Sequence, residues 1–496
     1  MTETTQPIIF LFLYREFDVR LMMNSQIFSL LIKMNKVVVV APEELHQFIE
    51  QMLGHSISIE PLQYFNPKSE QAKTEQPKNL RHKIESSIIN GIFRITYALP
   101  KGKEHLTRKL HIWTLKKTHR TGLKKWLMLF NLSISTMACM SMTFRFFLQK
   151  VTKIILLQGL HQHLFSKYNP SLVVTCSIGL GLDAKFIMEA QKNNVPTLSI
   201  VQSWDKTTSK GYPLATPDYV VAWSNIMADE CEAYHDIPRE RVFVAGIPLW
   251  DHYFHEKGTC TKESFCEQFA LNPGQPIIYF AICSPAFHKG NLNVISLLMK
   301  WQEKGYFQKD VQLIFRMHPY YFDEKFNKVN HMQMELRELM DKYKNRKGFA
   351  INYPDVMTEG NMYMLSSTDG DVLRNLLQHS DVCISVMSTQ MIEAAIFDRP
   401  AISVEFGHWK SNVIDADMKD YKLEHLGRIY EAKAIMRAAS QEQLLDQIND
   451  ALTNPERLKR KRAMLIDQEI PVNRGKAAQS VVRYITALSH KQHRKA

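Results

Sequence analysis

The stretch DVCISVMSTQMIEAAIFDRPAISV, residues 381–404, decides the fold class. It opens with an apolar, β-branched run, Val382–Val386, passes through Ser388 and Thr389 into a run with helical spacing, and closes with a second apolar run, Ala401–Val404. Strands without alternating polar positions, joined by a helix, are typical of a parallel sheet that is covered on both faces. The stretch therefore predicts a βαβ unit in the C-terminal half.

The same alternation of apolar runs and helical segments extends along most of the chain. Outside the opening stretch, the pattern predicts strands at Ile8–Leu13, Val37–Val40, Leu172–Thr175, Thr197–Val201, Tyr219–Trp223, Val242–Ala245, Ile277–Ile282 and Leu313–Arg316. We therefore expect an α/β protein with two Rossmann-like domains, whose parallel sheets face each other across a cleft.

The domain organisation follows from the length and from the breaks in this pattern. A chain of 496 residues is too long for one hydrophobic core. We expect an N-terminal acceptor domain at 1–250 with a basic helical insertion at about 101–150, a junction at 251–275, a C-terminal nucleotide-donor domain at 276–440 and C-terminal helices at 441–496.

The positive charge is concentrated in the insertion. The formal net charge is +12, and residues 101–150 carry eleven Lys and Arg against the single Glu104. This balance indicates an anionic partner, but its confinement to one block argues against nucleic acid. With Phe144, Phe146 and Phe147 nearby, the segment is predicted to meet an anionic membrane surface. The alternative is a solvated helix.

The N-terminus, one apolar segment and the cysteines indicate the cellular location. Ile8–Leu13 is too short for a signal peptide, and no cleavage site follows it. Trp126–Phe144 contains nineteen uncharged residues, but its Asn, Ser and Thr favour a buried or membrane-surface helix over a span. Seven scattered cysteines without a CxxC pair are typical of reduced thiols. We expect a cytoplasmic protein, peripheral at the inner face of the plasma membrane.

Two groups of polar residues follow strands of the C-terminal half. Arg316 and His318 lie two apart after an apolar strand, and Pro319 prevents a helix from starting at His318. Arginine offers a fork for phosphate, and histidine offers a donor or a group that titrates near neutral pH. The alternative is a structural hydrogen bond at the strand end.

The second group surrounds the helix of the opening stretch. Ser388 is predicted to cap this helix, whose start attracts phosphate, and Ser385, inside the preceding apolar run, is a further donor-binding candidate. Glu393 lies one turn beyond Thr389 on the same face and suits the hydroxyls of a ribose. The alternative is an ordinary capped helix with a surface glutamate.

A third polar group follows a strand of the N-terminal half. The loop at 203–211 contains Asp205, two lysines and several hydroxyls. Asp205 is suited to remove a proton from an acceptor hydroxyl, and Lys210 is suited to contact the donor. The alternative is a salt-bridged turn.

The common cofactor and metal motifs are absent from the sequence. It has no GxGxxG, no GxxxxGK[ST] and no HExxH. Asp369-Gly370-Asp371 is interpreted as the loop before a helix at Val372–His379, not as a metal site. We therefore expect no metal and no cofactor, with the nucleotide-activated donor as a substrate.

The order of the motifs along the chain resembles that in known protein families. The segments SWDKTTSKG (203–211), PDYVVAW (217–223), IPRERVFVAGIPLWD (237–251), LIFRMHP (313–319) and the opening stretch follow one another. In this order the chain resembles bacterial surface and capsular polysaccharide biosynthesis glycosyltransferases of GT-B architecture. It is also similar to the CDP-glycerol glycerophosphotransferases.

The resemblance implies roles for the predicted residues. Arg316 and His318 would contact the donor phosphates, Ser388 and Thr389 would hold the diphosphate, and Glu393 would hold the ribose. The corresponding N-terminal loop of the glycerophosphotransferases typically reads WHGTPLK, with histidine as the base. Asp205 stands at that position here, which favours a sugar donor over glycerol phosphate. Asp205 and His318 are the predicted catalytic residues.

The sequence thus predicts a transferase. It would move a sugar or a polyol phosphate from a nucleotide-sugar or CDP-polyol donor to a surface polysaccharide or lipid-linked glycan. Two alternatives stay open: an isomerase similar to UDP-GlcNAc 2-epimerase, and a non-catalytic, membrane-associated binding protein with a degenerate transferase fold.

Overall fold

The structure, a computed structural model, describes most of residues 6–493. Outside the described residues lie 1–5, 54–56, 63–121, 123–125, 127–128, 131–132, 135–136, 139, 158, 210, 285–289, 322–329, 344–345, 360–361, 367, 387, 407–423 and 494–496. The first part of the predicted insertion at 101–150 and Lys210 therefore fall outside the described residues.

Strands and helices alternate along the described chain. The strands are β1 (Ile8–Phe12), β2 (Lys36–Ala41), β3 (Ser58–Pro61), β4 (Leu172–Thr175), β5 (Thr197–Ile200), β6 (Tyr219–Ala222), β7 (Val242–Val244), β8 (Ile277–Ala281), β9 (Gln312–Arg316), β10 (Phe349–Asn352), β11 (Val356–Glu359), β12 (Met362–Leu365), β13 (Val382–Ser385), β14 (Ala401–Val404) and β15 (Met436–Ala438). The helices are α1 (Glu16–Asn24), α2 (Ile27–Met34), α3 (Glu43–Leu53), α4 (Met142–Leu156), α5 (Gln162–Tyr168), α6 (Leu182–Lys192), α7 (Lys206–Ser209), α8 (Asn225–His235), α9 (Lys262–Gln268), α10 (Asn291–Glu303), α11 (Asn330–Tyr343), α12 (Asp369–His379), α13 (Gln390–Ile396), α14 (Glu424–Glu431), α15 (Gln441–Thr453), α16 (Lys459–Glu469) and α17 (Ala477–His493).

The described chain divides into two compact units. Unit 1 lies within residues 1–251, 358–362 and 470–496, and unit 2 lies within 252–357 and 363–469. The C-terminal helix α17 therefore belongs to unit 1, together with the N-terminal strands.

Unit 1 is built on a parallel sheet. In the described residues it has seven strands in the order β3-β2-β1-β4-β5-β6-β7, and its neighbouring strands pair in parallel. The chain runs outward from β1 to β3 and then crosses to β4. The strand order therefore reverses between β1 and β4, which is where ligands bind in sheets of this kind.

Unit 2 repeats this arrangement with a second parallel sheet. Its described strands follow the order β10-β9-β8-β13-β14-β15, and β11 and β12 form a separate pair. The strand order reverses between β8 and β13. Both sheets have strands that are buried along their whole length, such as β4 in unit 1 and β8 in unit 2, which is typical of parallel sheets covered on both faces. The predicted α/β class with two parallel sheets is confirmed.

Candidate functional site

The carboxyl ends of four neighbouring strands of unit 2 lie in one row. Asn352, Arg316, Ala281 and Ser385 are the last residues of β10, β9, β8 and β13, and the strand register pairs each with the next. Neighbouring strands are about 4.8 Å apart, so Arg316 and Ser385 lie about 10 Å apart across Ala281. The sheet thus brings these two predicted site residues to the edge where its strand order reverses.

Arg316 is held by internal partners at this edge. Its side chain is 6% exposed; Nη1 donates to Asn352 Oδ1, and Nη2 donates to Asp369 Oδ2 at 2.6 Å. The other carboxylate oxygen of Asp369 accepts the backbone N–H of Asp355 at 3.2 Å. Arg316 is therefore paired with a buried carboxylate, and its direct contact with a donor phosphate stays a prediction.

The position of Asp369 corrects the sequence interpretation. Asp369-Gly370-Asp371 was expected to form a loop before Val372, but α12 already begins at Asp369. An acidic side chain in the first turn is favoured by the helix dipole. The structure uses this residue as the counter-ion of Arg316, a pairing for which the local sequence contains no signal.

His318 lies two residues beyond β9 and is partly exposed. Burial and, to a smaller extent, the nearby positive charge of Arg316 together lower its pKa to about 4. The expectation of a group that titrates near neutral pH is therefore wrong. A neutral imidazole still offers one hydrogen-bond donor and one acceptor to a ligand.

The lowered pKa of His318 predicts a pH-dependent stability. The unfolded chain binds the proton near pH 6.5, whereas the folded chain binds it near pH 4. The contribution of His318 to the free energy of unfolding is therefore fully present above pH 6.5. This free energy falls by about 3 kcal/mol as the pH drops to 4. Urea unfolding between pH 7 and 4.5 measures this slope. His318→Asn is expected to flatten it, and an equal slope in the variant contradicts the assignment.

The cap of α13 is Thr389 and not Ser388, which corrects the second prediction. Thr389 already has helical dihedral angles, and its carbonyl accepts the N–H groups of Ile392 and Glu393. The Ser388 hydroxyl lies 3.3 Å from the hydroxyl of Ser385. Ser388 therefore places its side chain against the end of β13, next to the first turn of the helix.

Glu393 is buried at 4% exposure, which excludes the alternative of a surface glutamate. Its carboxylate accepts a hydrogen bond from the Tyr253 hydroxyl. On the same helix, Gln390 accepts the hydroxyl of Tyr279, which lies on β8, at 2.7 Å. These two tyrosines fix α13 to its surroundings, and the predicted ribose contact of Glu393 stays a prediction.

Asp205 lies in unit 1, immediately after β5 and before the short helix α7. Its Oδ1 accepts the Ser203 hydroxyl at 2.5 Å, and its carbonyl accepts the N–H of Thr208. The neighbouring Thr207 donates to Glu230 on α8 at 2.5 Å. Hydrogen bonds made by Ser203, Thr207 and Thr208 therefore hold the loop, and Asp205 stays partly exposed.

The described residues contain no group of three or more His, Cys, Asp or Glu side chains that could hold a metal ion. Four of the cysteines, Cys176, Cys231, Cys266 and Cys383, are buried and free. Burial raises the pKa of Cys383 to about 12, so this thiol stays protonated at neutral pH.

Comparison with known proteins adds a family and a fold. A family model described as CDP-Glycerol:Poly(glycerophosphate) glycerophosphotransferase matches residues 111–487. No curated protein matches the chain.

Solved structures resemble the chain over nearly its whole length. The UDP-GlcNAc 2-epimerase from Methanocaldococcus jannaschii is 13% identical, with a TM-score of 0.50 over 97% of this chain and 99% of that one. The UDP-GlcNAc 2-epimerase from Neisseria meningitidis, bound to UDP-GlcNAc, is 11% identical, with a TM-score of 0.50 and the same coverage. At such identities the likeness shows the fold alone.

Proposed function

Because the chain belongs to the CDP-glycerol:poly(glycerophosphate) glycerophosphotransferase family, we propose that it moves a polyol phosphate from a CDP-activated donor to a hydroxyl of a surface polysaccharide or lipid-linked glycan. Its class, a transferase that uses a nucleotide-activated donor, follows from the family. The row of strand ends in unit 2 carries the proposal of the donor site, since Arg316 and Ser385 flank the reversal of strand order and His318 and Ser388 lie just beyond it.

The donor site would act by stabilising the departing nucleotide. The bond between the transferred phosphorus and the nucleotide phosphate oxygen breaks, so negative charge develops on the leaving group. Ser388 and the first turn of α13 offer hydrogen bonds to it, neutral His318 donates from beyond the end of β9, and Arg316, the predicted phosphate contact, lies at the same edge. Glu393, fixed by Tyr253, is the proposed partner of the ribose.

The acceptor would be activated in unit 1. Asp205 takes the proton of the acceptor hydroxyl as its oxygen forms the new bond to phosphorus. Ser203 donates to one oxygen of Asp205 and thereby orients the other. The scheme uses no metal or cofactor of its own.

A sugar is the second candidate for the transferred group. Asp205 stands where the loop of the glycerophosphotransferases typically has histidine, and this substitution favours a sugar donor. The family match supports the polyol phosphate as the first candidate. Incubation with donor alone and with donor plus acceptor glycan separates these reactions from an epimerase, which forms its product without an acceptor.

A nucleotide panel tests the donor site. Ligands that bind only the folded state raise the melting temperature, so we expect CDP or CMP to stabilise the protein more than UDP or GDP. Ser388→Ala should reduce this shift. Ser440→Ala, which removes the cap of α15, serves as the control: it should lower stability by about 1 kcal/mol but leave the nucleotide shift unchanged. If no nucleotide stabilises the wild type, the proposed function is wrong.

We also propose that α4 and the segment before it bind an anionic bilayer on the cytoplasmic side. The buried face of α4 carries Arg145, which pairs with Asp236 at 2.7 Å, whereas Phe147 and Ile154 are 57% and 81% exposed. The helix thus buries a charged side chain and exposes large apolar ones, which is unusual for a helix on a protein surface. The Lys and Arg of 101–125 supply the charge complement to anionic lipid. Across the described residues, no helix is both long and apolar enough to cross a membrane.

Vesicle sedimentation tests this surface. We expect binding to vesicles of phosphatidylglycerol but not of phosphatidylcholine, and a loss of at least about tenfold in the variant Phe147→Glu/Ile154→Glu, because two apolar side chains no longer insert. Phe17→Glu, at an exposed phenylalanine of α1, is the control and should bind normally. Equal binding by both variants contradicts the proposal.

A further inference from the structure

The last two turns of α8 carry two buried titratable side chains that the proposed mechanism does not use. Glu230 is 8% exposed, and His235, the last residue of the helix, is 0% exposed. Both contact Thr207, which lies two residues beyond Asp205 in α7. Glutamate is rarely buried in proteins, and then it is buried with polar partners. These contacts therefore link α8 to the loop that carries the proposed base.

Thr207 is held through its side chain and through its main chain. Its hydroxyl donates to Glu230 Oε2 at 2.5 Å. Its carbonyl oxygen lies 2.7 Å from His235 Nε2, and because a carbonyl can only accept, this ring nitrogen carries the hydrogen. Thr207 is itself 0% exposed. Two hydrogen bonds of opposite direction thus fix both the position and the orientation of this residue.

The turn between Asp205 and Thr208 connects this anchor to the proposed base. The Asp205 carbonyl accepts the N–H of Thr208 at 3.2 Å and its hydroxyl at 3.3 Å. Asp205 is partly exposed, whereas Thr207 and Thr208 are buried. The carboxylate that would meet the acceptor is therefore attached to a buried turn, and contacts from α8 set the position of that turn.

The end of α8 also holds the chain beyond this turn. Asp236 follows the last residue of α8 and has a φ of 53°. Its Oδ2 accepts the Tyr212 hydroxyl at 2.7 Å, and Arg145 of α4 donates two hydrogen bonds of 2.7 Å to the same carboxylate. The helix and the residue after it thus contact the loop at Thr207 and again at Tyr212.

We propose that Glu230 and His235 are positioning residues, which hold Thr207 so that the Asp205 carboxylate meets the acceptor hydroxyl. A general base has to lie within about 3 Å of the oxygen whose proton it takes, and a misplacement of about 1 Å can lower the rate about 100-fold. A buried network of satisfied hydrogen bonds gives such a loop a single geometry. The inference rests on the proposed function, and it names the residues on which the action of Asp205 depends.

Steady-state kinetics test the contact between Glu230 and Thr207. Thr207→Val removes the hydroxyl but keeps the shape of the side chain, and Glu230→Leu removes the acceptor. We expect each to lower kcat at least about tenfold without changing KM for the CDP-activated donor, because the base is misplaced while the donor residues lie in unit 2. Glu230→Gln still accepts the hydroxyl and should keep kcat within about threefold of the wild type. Equal losses in Glu230→Gln and Glu230→Leu overturn the proposal.

The contact of His235 is tested in the same way. His235→Gln carries an amide that can donate to the Thr207 carbonyl, whereas His235→Leu cannot donate. The glutamine variant should therefore keep more of kcat than the leucine variant, and the reverse order overturns the role of His235.

A double variant separates positioning from folding. A positioning residue acts only through Asp205, so Thr207→Val should cause no further loss of kcat in an Asp205→Asn background. Losses that multiply show an independent effect and overturn the proposal. Thr152→Val is the matched control, because this buried threonine of unit 1 donates to the Leu148 carbonyl within α4. It should keep the kcat of the wild type.

The outcomes also distinguish this inference from the proposed function. If Asp205→Asn loses activity but Thr207→Val and Glu230→Leu do not, Asp205 remains the base and the positioning role is refuted. If Asp205→Asn keeps its activity, the assignment of the base in the proposed function fails, and the positioning role fails with it. All variants should keep the wild-type thermal shift with CDP. A variant that loses both activity and this shift is misfolded, which assigns its contact to folding and overturns the positioning role.

Discussion

Replacing Asp205 with Asn is expected to lower kcat by about 10²- to 10⁴-fold, the usual contribution of a general base. The amide keeps the size of the side chain but cannot take the proton of the acceptor hydroxyl. Steady-state kinetics with a saturating CDP-activated donor and a glycan acceptor measure the loss. The melting temperature and the thermal shift with CDP should stay unchanged, because the donor residues lie in unit 2.

Two variants make this experiment decisive. Asp229→Asn removes an exposed carboxylate from α8 and should leave kcat unchanged. Ser203→Ala removes the hydroxyl that donates to Asp205 and should cause a smaller loss than Asp205→Asn. If Asp205→Asn keeps kcat within about threefold of the wild type, another group accepts the proton.

The largest effect on stability is expected from Asp369→Ala. Arg316 and Asp369 are 6% and 4% exposed and form a 2.6 Å ion pair. Truncating one partner leaves an uncompensated buried charge, which destabilises proteins by about 3–5 kcal/mol. Urea unfolding followed by circular dichroism should show this loss in the free energy of unfolding.

A double-mutant cycle separates the pair from the rest of the site. Replacing both residues, as in Arg316→Met/Asp369→Ala, removes the stranded charge, so the double variant should be more stable than the sum of the single losses predicts. Additive losses would show that the two side chains do not depend on each other. Nucleotide binding by the double variant then reports the contribution of Arg316 to the donor site.

Local sequence was sufficient to locate ten of the fifteen described strands, whereas β3, β10, β11, β12 and β15 were not predicted. The runs at Ile277–Ile282 and Val382–Val386 became β8 and β13 with ends within one residue of the prediction. A fully buried parallel strand needs an unbroken apolar run, and that requirement is visible in any short window. Arg316 and Ser385 stand at the ends of such runs, which is why they were found.

The predictions from local sequence were wrong about the protonation of one polar side chain near these strand ends and about the capping role of another. His318 was expected to act as a donor or to titrate near neutral pH, and the second of these roles is wrong because burial and the nearby Arg316 lower its pKa. Ser388 was expected to cap α13, but the turn after β13 moves the cap to Thr389. Both errors concern burial and the geometry of a turn, which depend on the folded structure and cannot be read from a short stretch of sequence.

The sequence by itself determined the α/β class, ten of the described strands and their parallel arrangement in two sheets. Only the tertiary structure decided the partners: Arg316 meets Asp369 from 53 residues away, Glu393 meets Tyr253 from 140, and Asp18 meets Gln202 from 184. Hydrophobic periodicity is a local consequence of burial. Which polar groups meet at a sheet edge depends instead on the crossovers that set the strand order.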